Sequence, residues 1–156
     1  VAEARTARGD HRGAVSTLEP LLTALRSAPE SGVYARVAVE LAAALEASDE
    51  RDRGIRVLED ARTRDERNVE VRVALAAAYA RADRHEAAER LYRELLVADA
   101  TNPKYLDHLG DALFALKQYR EAVTVWDRVL AGERAGIDVD AVTKKRDRAR
   151  QLAGRQ

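Results

Sequence analysis

Cysteine is absent from all 156 residues, which removes disulfides, thiolate metal sites and a cysteine nucleophile. The same absence leaves the redox compartment open, so the cytoplasm and the periplasm are both compatible with the chain. No apolar run approaches the roughly 20 residues needed to span a bilayer, which argues against membrane insertion. Aromatic residues make up only 4% against 46% hydrophobic, so Ala, Leu and Val must fill the interior, a composition suited to closely spaced helices. Charge of one sign is also missing. The 27 basic and 27 acidic residues cancel, and no overall field draws the chain towards nucleic acid or an acidic membrane. The first residue is Val1 rather than methionine, from which we expect an upstream portion, with any signal peptide or further domain, to lie outside this sequence.

What is present is a repeat. Leu41, Leu75 and Leu109 follow one another at a step of 34, and four further columns keep that step with coherent chemistry. Ala42, Ala76 and Gly110 are small, and so are Gly54, Ala88 and Ala122. Leu45, Tyr79 and Leu113 are large, and so are Leu58, Tyr92 and Trp126. Two helices can cross closely only where one side is small and bulky neighbours fill the flanking grooves, so small and large must alternate in register.

Apolar residues recur three and four apart with no strand-like alternation, so each unit reads as helix, short turn, helix. The pairs fall near 33–47 with 50–64, 69–82 with 85–98, and 103–116 with 119–131. Helix starts are marked by Asp83 with Glu86 at capping-box spacing, by Asn102 before Pro103, and by Ser27 with Glu30 around Pro29. The run Gly9 to Ala14 repeats the turn at Asp83 to Ala88, so Val1 to Arg8 is expected to be the tail of a truncated first helix. Its second helix then continues to about Arg26, with a kink expected at Pro20. The step from Ala14 to Gly54 is 40, which makes the connection at Ser27 to Gly32 longer than its counterparts. After Gly132 and Gly136, a charged helix over 138–153, with Val142, Ala149 and Leu152 as sparse apolar contacts, reads as a solvating end cap.

The period and its small and aromatic columns resemble the tetratricopeptide repeats of bacterial proteins, and the likeness covers almost the whole chain. Leu109-Gly110, Leu113, Tyr119, Ala122 and Trp126 carry it most fully. The second unit departs, with Arg51 where an aromatic is usual and Gly54 in place of the packing alanine. The stretch Asp107 to Leu113 followed by Trp126 is also similar to the last repeats of cell-envelope members. The resemblance implies an all-α, right-handed superhelical solenoid of antiparallel helix pairs with a C-terminal capping helix. Its parts would be a truncated first repeat at 1–27, repeats at 33–64, 69–98 and 103–131, and the cap at 138–153, all in one repeat domain.

In that family the first helices of successive units line a concave groove that binds peptides or partner helices. The residues agree independently. Val73 to Ala80 is almost wholly apolar, yet packing on its own pair uses one face, here Leu75, Ala76 and Tyr79, which leaves Val73, Ala74, Ala77 and Ala80 for something else. The groove set on this reading is Arg36, Val39, Glu40, Ala43, Glu70, Val73, Ala74, Ala77, Arg81, Lys104, Asp107, His108 and Asp111. Some family members hold a terminal carboxylate with a lysine and two asparagines. Val39, Ala43 and Ala74 stand at aligned positions here, leaving only Lys104, so the resemblance implies a different ligand. An apolar floor beside Asp107 and Asp111 favours an amphipathic segment carrying Lys or Arg.

The remaining polar features have plainer readings beside their functional ones. Asp107, His108 and Asp111 could hold a metal, but no fourth ligand is nearby in sequence and carboxylates four apart are common on solvated helices, so no metal or other cofactor is expected. Nothing identifies a nucleophile, oxyanion donors or an enclosed pocket, so no catalytic residue and no enzyme activity is expected. His11 and His85 share the turn position of Tyr119 and should pack or cap. Glu86 and Glu89 precede Arg90 and Arg93 by four, ordinary helix support. Lys144, Lys145, Arg146, Arg148 and Arg150 form the only basic run; without interleaved aromatics it reads as the charged face of a cap rather than a nucleic-acid site. The leading function is a protein or peptide-binding scaffold. The alternatives are an architectural spacer or oligomerisation segment of a larger protein, and an accessory repeat domain of an enzyme lying upstream of Val1.

Overall fold

The computed structural model describes residues 9–27 and 31–155, and among these it contains eight α-helices and no strand. They are α1 (His11–Leu25), α2 (Ser31–Ala47), α3 (Arg51–Arg64), α4 (Val69–Arg81), α5 (His85–Ala98), α6 (Pro103–Ala115), α7 (Tyr119–Ala131) and α8 (Val139–Ala153). Each sequence-predicted helix in this span is present, with ends moved by at most a few residues. α1 runs on through the exposed Pro20 to Leu25. The expected tail at Val1 to Arg8 and the start signal at Pro29 and Glu30 lie outside the described residues.

The turns inside each pair share one device. Asp49, Asp83 and Lys117, at a step of 34, adopt left-handed φ of 65°, 56° and 61°, and Gly9 before α1 does so at 75°. The following amide reaches back to close the preceding helix: Glu50 N–H donates to the Leu45 carbonyl at 2.8 Å, Arg84 to Tyr79 at 2.9 Å and Gln118 to Leu113 at 2.9 Å. This is the bond of a Schellman motif, which satisfies a carbonyl that the helix end leaves without a partner. It also corrects one expectation. Asp83 serves as the left-handed residue, the residue capping α5 is Arg84, and no side-chain cap bond forms there, so the Asp83 and Glu86 spacing is not a capping box. Side-chain caps appear instead where pairs begin or stand alone. Asn102 accepts from the Lys104 and Tyr105 amides as expected, Asp10 accepts from Gly13, and Asp138 accepts from Ala141.

The chain divides within α4 into two compact units, one ending at Ala78 and one beginning at Tyr79. A repeat stack has no single centre, because each helix packs mainly on its sequence neighbours. In the first unit α1 packs on α2 and α2 on α3, around a core that includes Val15, Leu18, Leu22, Tyr34, Ala38, Leu41 and Leu45. Gly54 of α3 is buried against α2, where an added Cβ would lie 3.0 Å from the Ala42 carbonyl oxygen.

In the second unit α5 packs on α6, α6 on α7 and α7 on α8. The second helices bury a stripe at every third and fourth residue: Ala88, Leu91, Tyr92 and Leu95 on α5, then Ala122, Val125, Trp126 and Val129 on α7. Each large buried side chain of this kind contributes about 1.5–3 kcal/mol relative to exposure. Trp126 lies directly over Gly110 of α6, where a Cβ would come within 2.4 Å of the indole nitrogen.

Adding 34 to Leu109, Gly110 and Leu113 lands on Thr143, Lys144 and Asp147. α8 therefore stands where the first helix of a further repeat would, without the apolar columns that would seat a second helix upon it. Only Val142 and Ala149 of α8 are buried, as expected of a cap.

Candidate binding faces

All thirteen residues of the groove set remain exposed or half-buried. In the first unit, Arg36, Ala43 and Glu70 are exposed and Val39, Glu40, Val73, Ala74 and Ala77 are half-buried. Val39 packs partly against the core of that unit, so only part of its surface is free. α4 is informative because it is apolar nearly all round. Leu75 and Ala76 are almost completely buried, whereas Val73, Ala74 and Ala77 on the opposite side are not. Tyr79, expected on the packing face, is half-buried, with the Arg84 guanidinium 6.0 Å from its ring centre.

The 34-residue step orders these residues into columns. Arg36, Glu70 and Lys104 share one, Val39, Val73 and Asp107 the next, and Glu40, Ala74 and His108 a third, while Ala43, Ala77 and Asp111 form the fourth. The second and fourth columns are therefore apolar in the first unit and acidic on α6 of the second.

On α6 the two carboxylates are already engaged. Asp107 accepts from the Trp126 indole N–H at 2.9 Å, and the Lys145 ammonium of α8 donates to Asp107 at 3.1 Å and to Asp111 at 2.9 Å. Partial burial works against the charged form of Lys145, but the bond to Asp111 and the charges of Asp111 and Asp107 hold its pKa above the ordinary lysine value. Burial also pushes the Asp111 carboxyl up from its ordinary value, and Lys145 opposes that shift. His108, exposed beside them, stacks on Tyr92 with ring centres 5.4 Å apart and planes inclined by 26°. Burial pushes the Tyr92 hydroxyl up to about 12. No group of three His, Cys, Asp or Glu among the described residues is arranged to hold a metal ion.

Lys145 is the partner of the α6 carboxylates that sequence reasoning missed. Its position 34 residues after Asp111 is the signal that could have found it, since that step carries one first helix onto the next. The basic run splits accordingly. Lys145 turns to α6, Arg146 and Arg150 reach Asp127 of α7 at 3.3 and 3.4 Å, and Lys144 and Arg148 stay exposed. Of the other candidates, His11 and His85 are half-buried at the first positions of α1 and α5, and Tyr119 meets Phe114 edge-on at 5.3 Å. Arg93 bridges Glu89 at 2.8 Å and Glu121 at 2.6 Å, tying α5 to α7 on the outside. In the first unit Arg53 ties α3 to α1 through Glu19. No helix among the described residues is long and apolar enough to cross a membrane.

No family model matches the sequence, and no curated protein matches it. Solved structures do. MamA from AMB-1 superposes with a TM-score of 0.75 at 22% identity, over 99% of this chain and 79% of that one. A putative kinesin light chain of Podosopora anserina, described by its nearly identical TPR-like repeats, gives 0.79 at 20% identity, over 99% and 84%. BtubC from P. vanneervenii gives 0.81 at 18% identity, over 98% and 70%. Likeness at this level of identity is a likeness of fold, and the fold is the tetratricopeptide-type helical repeat.

Proposed function

We propose, from that helical-repeat fold, that the chain is a protein-interaction scaffold that holds a peptide or helix of a partner against the uncovered side of α4. The observation that carries this is α4. One side of the helix is consumed by its own packing, yet Val73, Ala74 and Ala77 on the other side are also apolar and are left half-buried. Covering them with a partner removes apolar surface from water at about 25 cal/mol per Å². The partner is read as cationic and amphipathic. Glu40 and Glu70 accompany the apolar residues in the first unit, and on α6 the counterparts of Val73 and Ala77, Asp107 and Asp111, already accept a lysine from an amphipathic helix. The apolar contact would supply affinity and the carboxylates orientation. Nothing in this arrangement resembles a reaction centre, and the scaffold reading involves no catalysis.

The experiment is affinity capture from native lysate with the intact chain and with Val73→Asp, the two matched by melting midpoint. The proposal expects a discrete partner that the variant fails to retain. Recovery of only the chain itself would favour the oligomerisation alternative, and equal recovery by both proteins would remove α4 from the site.

A further inference from the structure

Resting on that reading, the structure suggests how the acidic face of α6 is controlled. We propose that α8 is a charge-held latch, a helix that docks and undocks as a unit and covers the α6 carboxylates when docked.

Four features separate α8 from an integral packing element. Its buried side chains are Val142 and Ala149, against Ala122, Val125, Trp126 and Val129 on α7. Its bonds to the rest of the unit are ionic: Lys145 to Asp107 and Asp111, and Arg146 and Arg150 to Asp127. Those side chains keep 16–58% of their surface exposed, so salt screens them. Finally, the connection from α7 is exposed at every residue from Gly132 to Gly136, with Gly136 at φ +73°, and only short local bonds oppose a swing of the helix, from the Ile137 N–H to the Arg134 carbonyl at 3.1 Å and from the Arg134 guanidinium to the Leu130 carbonyl at 3.0 Å.

Undocking removes the lysine from both carboxylates at once, because one ammonium bridges them, and leaves Asp107 with its Trp126 donor. It also alters the surroundings of the only tryptophan in the chain. The Trp126 indole donates to the Asp107 oxygen that Lys145 also binds, and the ammonium stands 6.0 Å from its ring centre. α8 is thus an internal competitor for a cationic partner: it is amphipathic, basic, and places a lysine where the proposed partner would place one.

Hydrogen exchange of the intact chain tests the latch. Between about 0.02 M and about 1 M salt, α8 amides should exchange at least about tenfold faster, while α6 and α7 amides keep their protection. Lys145→Met should give the fast α8 exchange already at low salt, and Trp126 emission should shift in parallel. The latch is refuted if α8 protection is unmoved by salt and by Lys145→Met, or if α6 and α7 lose protection in step with α8. The competing role is read separately, with a synthetic peptide of residues 138–155 added in trans. It should bind the full-length Lys145→Ala, Arg146→Ala variant at least about tenfold more tightly than the unmodified chain. Equal binding would remove the competition, whatever the exchange data show. Failure of capture by α4 would instead remove the scaffold reading while leaving the latch standing.

Discussion

The helix pairs α2–α3 and α6–α7 solve one packing problem from opposite sides. Both must bring two helices close at the same pair of columns. In α2–α3 the glycine lies on the second helix, where Gly54 meets the backbone of Ala42. In α6–α7 it lies on the first, where Gly110 receives the indole of Trp126, and the second helix keeps the packing alanine, Ala122. The companion large column follows suit: Leu58 in one pair, Trp126 in the other. The lesson is that the repeat fixes a sum of volumes across two columns rather than a residue at either, so a glycine in the alanine column is a compensated choice.

The comparison can be broken at its largest element first. Trp126→Ala should cost about 3–5 kcal/mol, because it empties a fully buried site and leaves the Asp107 carboxylate without its indole donor. Chemical denaturation gives the number. Gly110→Ala should cost about 1–3 kcal/mol, since the new methyl cannot clear the ring. Adding Trp126→Leu, which gives the first helix's small column and the large column the residues of α2–α3, should recover part of that loss. A double-mutant cycle with no coupling would show that the two columns are independent. Ala122→Leu should likewise cost about 1–3 kcal/mol by wedging α7 from α6. Gly54→Ala should stay within about 1 kcal/mol of neutral, because a 3.0 Å approach to a carbonyl is offset by the helical advantage of alanine. The smallest effect is a gain: Asp83→Gly or Lys117→Gly should raise stability by a few tenths to about 1 kcal/mol by relieving a left-handed backbone.

The fold was legible because its signal is redundant. Five columns at one step each report the same period, and the helix ends at Asn102 and Gly132 agree with them. The capping box at Asp83 misled because Asp serves both as an N-cap and as a tolerated left-handed residue, and only the backbone bond from Arg84 to Tyr79 distinguishes the two. The candidate faces were legible in part. Periodicity identifies which side of α4 is left over, but says nothing about what already covers a polar pair. Asp107 and Asp111 look free in the sequence, and their partner lies on another helix, a full repeat away. Long side chains such as Lys145 carry no periodic apolar mark, so charge pairing between helices is where a sequence is least informative.

The central claim, that the uncovered apolar side of α4 binds a partner, is tested most directly by comparing two aspartates. Val73 is half-buried on that side, whereas Val97 on α5 is 88% exposed and lies outside the proposed face. Val73→Asp and Val97→Asp introduce the same charge in place of the same residue, and each would be titrated with the purified captured partner after confirming unchanged melting. The account predicts that Val73→Asp weakens binding at least about a hundredfold, about 2.7 kcal/mol, and that Val97→Asp leaves it within about twofold. Equal affinity of the two variants, or a larger loss from Val97→Asp, would contradict it.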